Sequence, residues 1–318
     1  MPLRPNFFIV GAPRSGTTSI WTYLSRHPNV YMSYQKEPMY FGSDLTKSPN
    51  EFFVLETNAY LEMFQRGADK TIRGEASVMY LFSKKAAQEI QAFNPNARIL
   101  IMLRNPVEMI YSFHGQLRWG GYENIADFDE ALAAEADRRR GLRIPKSALV
   151  PEVLYYSEVA EFAPQVERYL RVFPRDQIKI ILFDDFARSP AEVYFSLLDF
   201  LGVEGIAPRS YAIRNPHKEP RSIALAALLQ RPPKFITKLL DLIPQPHRYA
   251  MMGLIQGLLN TRRVDRPPLR PKTRQRLMEQ FAPDIRKLEL LIDRDLSKWL
   301  GESGDASKPV LEMPRQKA

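Results

Sequence analysis

Two near-continuous apolar runs, "RILIML" at 98–103 and "IKIILF" at 178–183, fail to alternate with polar residues. Strands covered on both faces read this way, whereas strands with one wet face alternate. Adding the short runs near residues 7 and 72, the pattern predicts strands over Phe7–Val10, Thr71–Glu75, Arg98–Leu103 and Gln177–Phe183. Between them the apolar positions recur at helical spacing. Gly16–His27 predicts a helix with Ile20, Tyr23 and Leu24 on its inner face and His27-Pro28 closing it. Further helices are predicted over Ser83–Phe93, Pro106–Trp119, Phe128–Arg140, Val153–Phe173 and Ala191–Leu201. Strands separated by helices imply an α/β fold, a central parallel sheet in a three-layer α/β/α arrangement.

Composition adds three things. A 318-residue chain that is 45% hydrophobic can bury one large core, so residues 1–300 are read as a single domain and the polar stretch 301–318 as a disordered tail. The chain has no cysteine, and its four histidines show no metal-ligand spacing, so no disulfide, thiolate site or metal centre is expected. Neither a basic leader with an apolar core of roughly 7–15 residues nor an apolar run of about 18 is present, so a cytoplasmic protein is expected. Charge is uneven: residues 221–276 hold twelve Arg/Lys against two acids, Asp241 and Asp265, an excess that outweighs the whole chain's +9. Apolar pieces ("FITKLLDLI", "MMGLIQGLL") lie among these charges. This region predicts a helical C-terminal lobe. It is either a solvated basic face or a lid for an acidic or lipid-like acceptor with peripheral membrane contact. It carries only Phe235 and Tyr249 as aromatics, too few for a nucleic-acid surface, so no nucleic-acid partner is expected.

The chemistry concentrates in "FFIVGAPRSGTTSI", residues 7–20. A strand that ends in a glycine-rich turn and opens a helix aims backbone N–H groups at one point. The positive end of the helix dipole completes a P-loop-like anion site. Gly11 and Gly16 have the spacing of a triphosphate-binding loop, but Thr17 stands where that loop needs lysine. Arg14 lies inside the turn instead, and Ser15, Thr17 and Thr18 offer hydroxyls. One guanidinium forking onto one phosphate suits a ligand of less clustered charge and needs no metal. A second anchor is legible at 99–114, "ILIMLRNPVEMIYSFH": Arg104 ends a buried strand where open α/β sheets place ligands, and Ser112 follows two helical turns later.

Loop and anchor in this order, with "KEPMYF" (36–41) and "GEASVMYLF" (74–82) between them, resemble the sulfotransferases that use 3′-phosphoadenosine 5′-phosphosulfate (PAPS). The resemblance extends over roughly residues 6–300 and is to bacterial members related to the glycan branch. It implies in-line transfer of a sulfuryl group to an acceptor hydroxyl or amine, with adenosine 3′,5′-bisphosphate (PAP) leaving and no metal. It also implies roles. Arg14, Ser15, Gly16, Thr17 and Thr18 would hold the 5′-phosphate, and Arg104 and Ser112 the 3′-phosphate, with Arg221 as a late basic contact. Glu37 matches the general base of glycan-type members; Pro38 biases it toward extended backbone. Those members have lysine where this chain has Ala76, and Lys36 is the substitute for its sulfuryl contact. Glu75 would orient Glu37 or touch the acceptor, and His114, Arg118 and Trp119 are candidate acceptor contacts; a structural role is the plainer alternative for each. The glutamate base tilts the acceptor toward a carbohydrate or glycolipid; the oligomeric state is left open.

Two other classes compete. A nucleotide kinase or NTPase with a degenerate loop would use Asp184-Asp185 as its magnesium acid, and a non-catalytic protein would use 221–276 to bind an anionic surface.

Overall fold

The computed structural model describes residues 3–47, 53–211, 218–230, 261–263 and 266–301, with isolated positions between 243 and 257. About half of the predicted 221–276 lobe and nearly all of the 301–318 tail lie outside the described residues. At the centre is a parallel five-stranded sheet. Its strands are β1 (Phe7–Gly11), β2 (Val30–Met32), β3 (Ile72–Ala76), β4 (Arg98–Leu103) and β5 (Ile178–Leu182), in the order β2-β3-β1-β4-β5. The chain builds β2 and β3 on one side of β1, then crosses to build β4 and β5 on the other. The reversal leaves a crevice beyond the carboxyl ends of β1 and β4, where sheets of this kind bind ligands.

The unbroken apolar runs are explained by two cores, one per face. Phe8, Val10, Ile99, Ile101 and Leu103 point into the larger one, against helices Ala86–Phe93, Pro106–Trp119, Phe162–Val172 and Pro271–Ile292. Phe7, Ile9, Leu100 and Met102 point the other way, against Ile20, Tyr23 and Leu24 of α1 (Thr17–Leu24) and Leu197, Leu198 and Leu201 of helix Pro190–Leu201. Residues on alternate sides of one strand thus serve opposite layers.

Several predicted boundaries shift. Phe128–Arg140 is two helices, Phe128–Ala133 and Glu135–Arg139. Val153–Phe173 is interrupted because Asp284, from the long Pro271–Ile292 helix, accepts hydrogen bonds from the N–H groups of Phe162 (2.8 Å) and Ala163 (3.0 Å). It caps a new helix start there. The edge strand β2 and the antiparallel pair Lys218–Pro220 with Thr261–Arg263 are too short for periodicity to reveal. Among the described residues, no helix is long and apolar enough to cross a membrane.

Ile101 is fully buried at the centre of β4. Ile101→Ala is expected to lower stability by about 2–5 kcal/mol, read as a shift of the urea midpoint.

Candidate active site

The turn between β1 and α1 is shaped by Gly16, which caps α1 with φ 92°, a left-handed conformation that glycine adopts freely. A Cβ there would also sit 3.1 Å from the Phe186 ring and 3.2 Å from the Met102 methyl. Arg14 is left-handed too, at φ 57°. Non-glycine residues held in this region cluster at functional sites. The turn opens on a small cleft of about 90 Å³. It is lined by Pro13, Arg14, Gly16, Thr17, Thr18, Lys36, Glu37, Val78, Arg104, Gln116 and Phe183. Seven of the residues singled out from sequence therefore meet in one place. Ser15 does not face it: the residue is buried and its hydroxyl donates to the Pro13 carbonyl inside the turn, 3.2 Å away.

Three arginines from distant segments converge beside the turn. Arg14 Nε donates to Ser112 Oγ at 2.8 Å, and Arg266 donates to the same oxygen at 3.2 Å. Arg14 also reaches Gln116 Oε1 at 3.2 Å, while Arg104 donates to the Arg14 carbonyl at 3.3 Å. Arg104 lies over the Phe183 ring (4.7 Å) and Arg266 over that of Tyr111 (5.2 Å), so aromatic faces support both guanidiniums. Burial, then Arg266 and Arg104, hold the Arg14 pKa down at about 10; burial and Arg104 likewise lower Arg266. Like charges are pressed together here, which suits an anion seat. Ser112 is buried and serves as the shared acceptor that orders two of the cations.

Arg266 is the residue that sequence reasoning missed. The late basic contact was placed at Arg221, which is exposed; neither it nor Arg266 lines the cleft, but Arg266 bonds the Ser112 hydroxyl that Arg14 also bonds. The signal available was only the run of arginines through 262–276, in which no single one stands out.

On the opposite wall Glu37 sits at φ 62°, so the extended backbone expected from the following proline is overturned. Tertiary hydrogen bonds decide the conformation: Glu37 N–H donates to the Ala76 carbonyl (2.8 Å), and its Oε2 accepts the Val78 N–H (2.8 Å). Lys36 Nζ pairs with Glu37 Oε1 at 2.5 Å, and both side chains line the cleft. Glu75 is fully enclosed one layer behind, bonded by the Tyr60 and Ser77 hydroxyls, so its carboxylate has no exposed surface for an acceptor.

His114 and Arg118 line a separate cavity with Tyr111, Phe128 and Arg266. His114 is buried, hydrogen-bonded to the Ile125 carbonyl at 3.0 Å and set against the Phe128 and Tyr156 rings. Trp119 donates its indole N–H to Thr261 Oγ1 at 2.8 Å. The two aspartates of the kinase reading are engaged by other groups: Asp184 accepts the Trp299 indole N–H, and Asp185 pairs with Arg188 and Arg294.

With this geometry in view, comparison with known proteins is decisive. The sequence profile of the family described as "Sulfotransferase domain" matches residues 4–210. The chain belongs to the sulfotransferase family. Among solved structures, a sulfotransferase from Alicyclobacillus acidocaldarius is similar at 32% identity, with a TM-score of 0.70, covering 93% of this chain and 99% of that one. Similar curated proteins include the human bifunctional heparan sulfate N-deacetylase/N-sulfotransferase 2, 28% identical across 63% of this chain, and human carbohydrate sulfotransferase 15, 25% identical across 69%. This chain spans only 22% and 47% of their respective lengths. A membrane-associated sulfotransferase, kil1, of Dictyostelium discoideum is 22% identical across 66% of this chain and 59% of its own.

Burial drives the His114 imidazole pKa down from 6.5 to about 4. The native state then binds fewer protons than the unfolded chain between those values, so this group removes stability as pH falls from 6.5 to 4. Histidine NMR titration is expected to show His114 neutral at pH 6; a midpoint near 6.5 would contradict the packing described.

Proposed function

We propose that this sulfotransferase-family domain transfers a sulfuryl group from PAPS to a hydroxyl or amine of a carbohydrate or glycolipid acceptor. The observation that carries the reading is one cleft in which Arg14, Arg104 and a glycine-capped helix N-terminus meet Glu37, with Arg266 beside it on the Ser112 hydroxyl that Arg14 also bonds. A donor with two separated phosphates fits such a site. The turn and Arg14 supply one seat, and the group of Arg104, Arg266 and Ser112 supplies the other. The carbohydrate preference rests on similarity to proteins named as heparan sulfate and carbohydrate sulfotransferases.

When bound, PAPS supplies an activated sulfuryl group; the protein's part is positioning, charge and a base. Glu37 Oε1 takes the proton of the acceptor O–H or N–H as that atom bonds to sulfur, and the bond from sulfur to the 5′-phosphate oxygen breaks. Oε2 stays tied to Val78 N–H, which fixes the carboxylate plane. Lys36 exchanges its pairing with Glu37 for an oxygen of the transferring group, in the place left by Ala76. Arg14 neutralises the charge that grows on the 5′-phosphate, and as a guanidinium it keeps its own proton.

Two measurements test this. With radiolabelled PAPS and N-desulfated heparin as the acceptor probe, Glu37→Gln is expected to cut transfer by about 10²-fold or more. Calorimetric PAP affinity should stay within about twofold; undiminished transfer would remove Glu37 as the base. Arg266→Ala is expected to weaken PAP by about tenfold or more while leaving 5′-AMP nearly unchanged, as a charge-assisted contact to the 3′-phosphate alone requires. Equal weakening of both nucleotides would contradict its assignment to the 3′-phosphate.

A further inference from the structure

Glu37 and Met39 both hold left-handed backbone, φ 62° and 54°, in a turn where neither is glycine. Such conformations persist only where the surroundings impose them. Behind this turn lies a polar knot with Glu75 at its centre. The carboxylate is fully buried on β3; Oε1 accepts the Tyr60 hydroxyl at 2.8 Å and Oε2 accepts the Ser77 hydroxyl at 3.0 Å. Each partner continues to the turn. Ser77 Oγ accepts the Met39 N–H at 3.2 Å. The Tyr60 ring stacks on Tyr40, centroids 4.1 Å apart and planes 6° from parallel. Tyr80, whose hydroxyl also bonds toward Glu75, accepts the Phe41 N–H at 3.1 Å. Three successive residues, 39 to 41, are therefore held by groups that one carboxylate orients.

We infer that Glu75 is a positioning residue for Glu37, holding the 37–41 turn through Ser77, Tyr60 and Tyr80 so that the Glu37 carboxylate faces the cleft. The inference rests on the reading of Glu37 as the base. It accounts for a charged side chain kept with no solvent contact, a placement that is costly unless hydrogen bonds compensate it. An ionised carboxylate accepts from all three hydroxyls at once; a protonated one must donate to one of them, which reverses a link in the chain. Burial, with Glu37 adding to it, raises the Glu75 carboxyl to about 7. The other titratable groups that face it are Tyr60, Tyr80, Tyr169 and Lys47. The three tyrosines are pushed above their ordinary range by burial and stay neutral, so Glu75 itself sets the knot's proton count near neutral pH.

The test compares the unmodified protein with Glu75→Gln, Glu37→Gln and the double variant. In the ligand-free protein, hydrogen exchange of amides 37–41 is expected to rise about tenfold in Glu75→Gln, with β1 and β4 amides unchanged. PAP affinity should stay within about twofold, because Arg14, Arg104 and Arg266 are untouched. Transfer to N-desulfated heparin should fall about tenfold at constant KM, lose its rise through pH 7, and fall no further when Glu75→Gln is added to Glu37→Gln. Ser77→Ala, which deletes the single hydroxyl between Glu75 and Met39, should give the same local exchange at smaller size and serves if Glu75→Gln does not fold. Unchanged exchange at 37–41 in both variants would overturn the inference, as would a loss that adds fully to that of Glu37→Gln. Should Glu37→Gln itself transfer normally, the base reading fails instead, and the exchange result still decides whether Glu75 holds the turn.

Discussion

The crowding of Arg14, Arg104 and Arg266, with Arg14 and Arg266 sharing the Ser112 oxygen and Arg104 on the Arg14 carbonyl, is the constraint on which the rest of the structure depends. Burial lowers the proton affinity of all three guanidiniums, and neighbouring guanidiniums lower that of Arg14 and Arg266 further. The fold tolerates the arrangement because each cation is fixed from a different direction. Arg14 is held by the glycine-capped turn, Arg104 by the end of β4 and the Phe183 ring, and Arg266 by Tyr111. An anion that enters this cluster relieves the repulsion. On the proposed reading, affinity for phosphate is built into the scaffold before any ligand arrives, the sense in which such sites are preorganised.

The sheet makes the convergence possible. The reversal of strand order at β1 brings the β1–α1 turn and the end of β4 to the same crevice, although 90 residues separate Arg14 from Arg104. Glu37, the proposed base, arrives by a different route, through a turn pinned across the end of β3 by the bond from its N–H to the Ala76 carbonyl and the bond from the Val78 N–H to its carboxylate. Cations and carboxylate stand on opposite walls of one cleft because β3 and β4 flank β1 on either side.

Much of this was legible in the amino-acid sequence, and the reasons are physical. Doubly covered strands must be apolar without a break, so β4 was found to the residue and β5 nearly so. The strand–glycine–helix succession announces an anion site because only glycine enters that turn easily, and it located Arg14. Glu37, singled out through its motif, lines the cleft, but its backbone was misjudged: the preference imposed by Pro38 is local, while the bonds to Ala76 and Val78 cross from one segment to another. Arg266 was invisible for the same kind of reason. Nothing nearby in sequence distinguishes it from its basic neighbours, and tertiary contacts such as its packing on Tyr111 bring it to Ser112. The burial of Glu75 and His114 is likewise a property of what covers them, which no spacing rule records.

A crystal structure with adenosine 3′,5′-bisphosphate bound would examine the central claim most directly. The account predicts the 5′-phosphate against the amides of Gly16 to Thr18 beside Arg14, and the 3′-phosphate enclosed by Arg104, Ser112 and Arg266. Density for the nucleotide elsewhere on the molecule, or with its 3′-phosphate turned to solvent and the three guanidiniums unengaged, would contradict it.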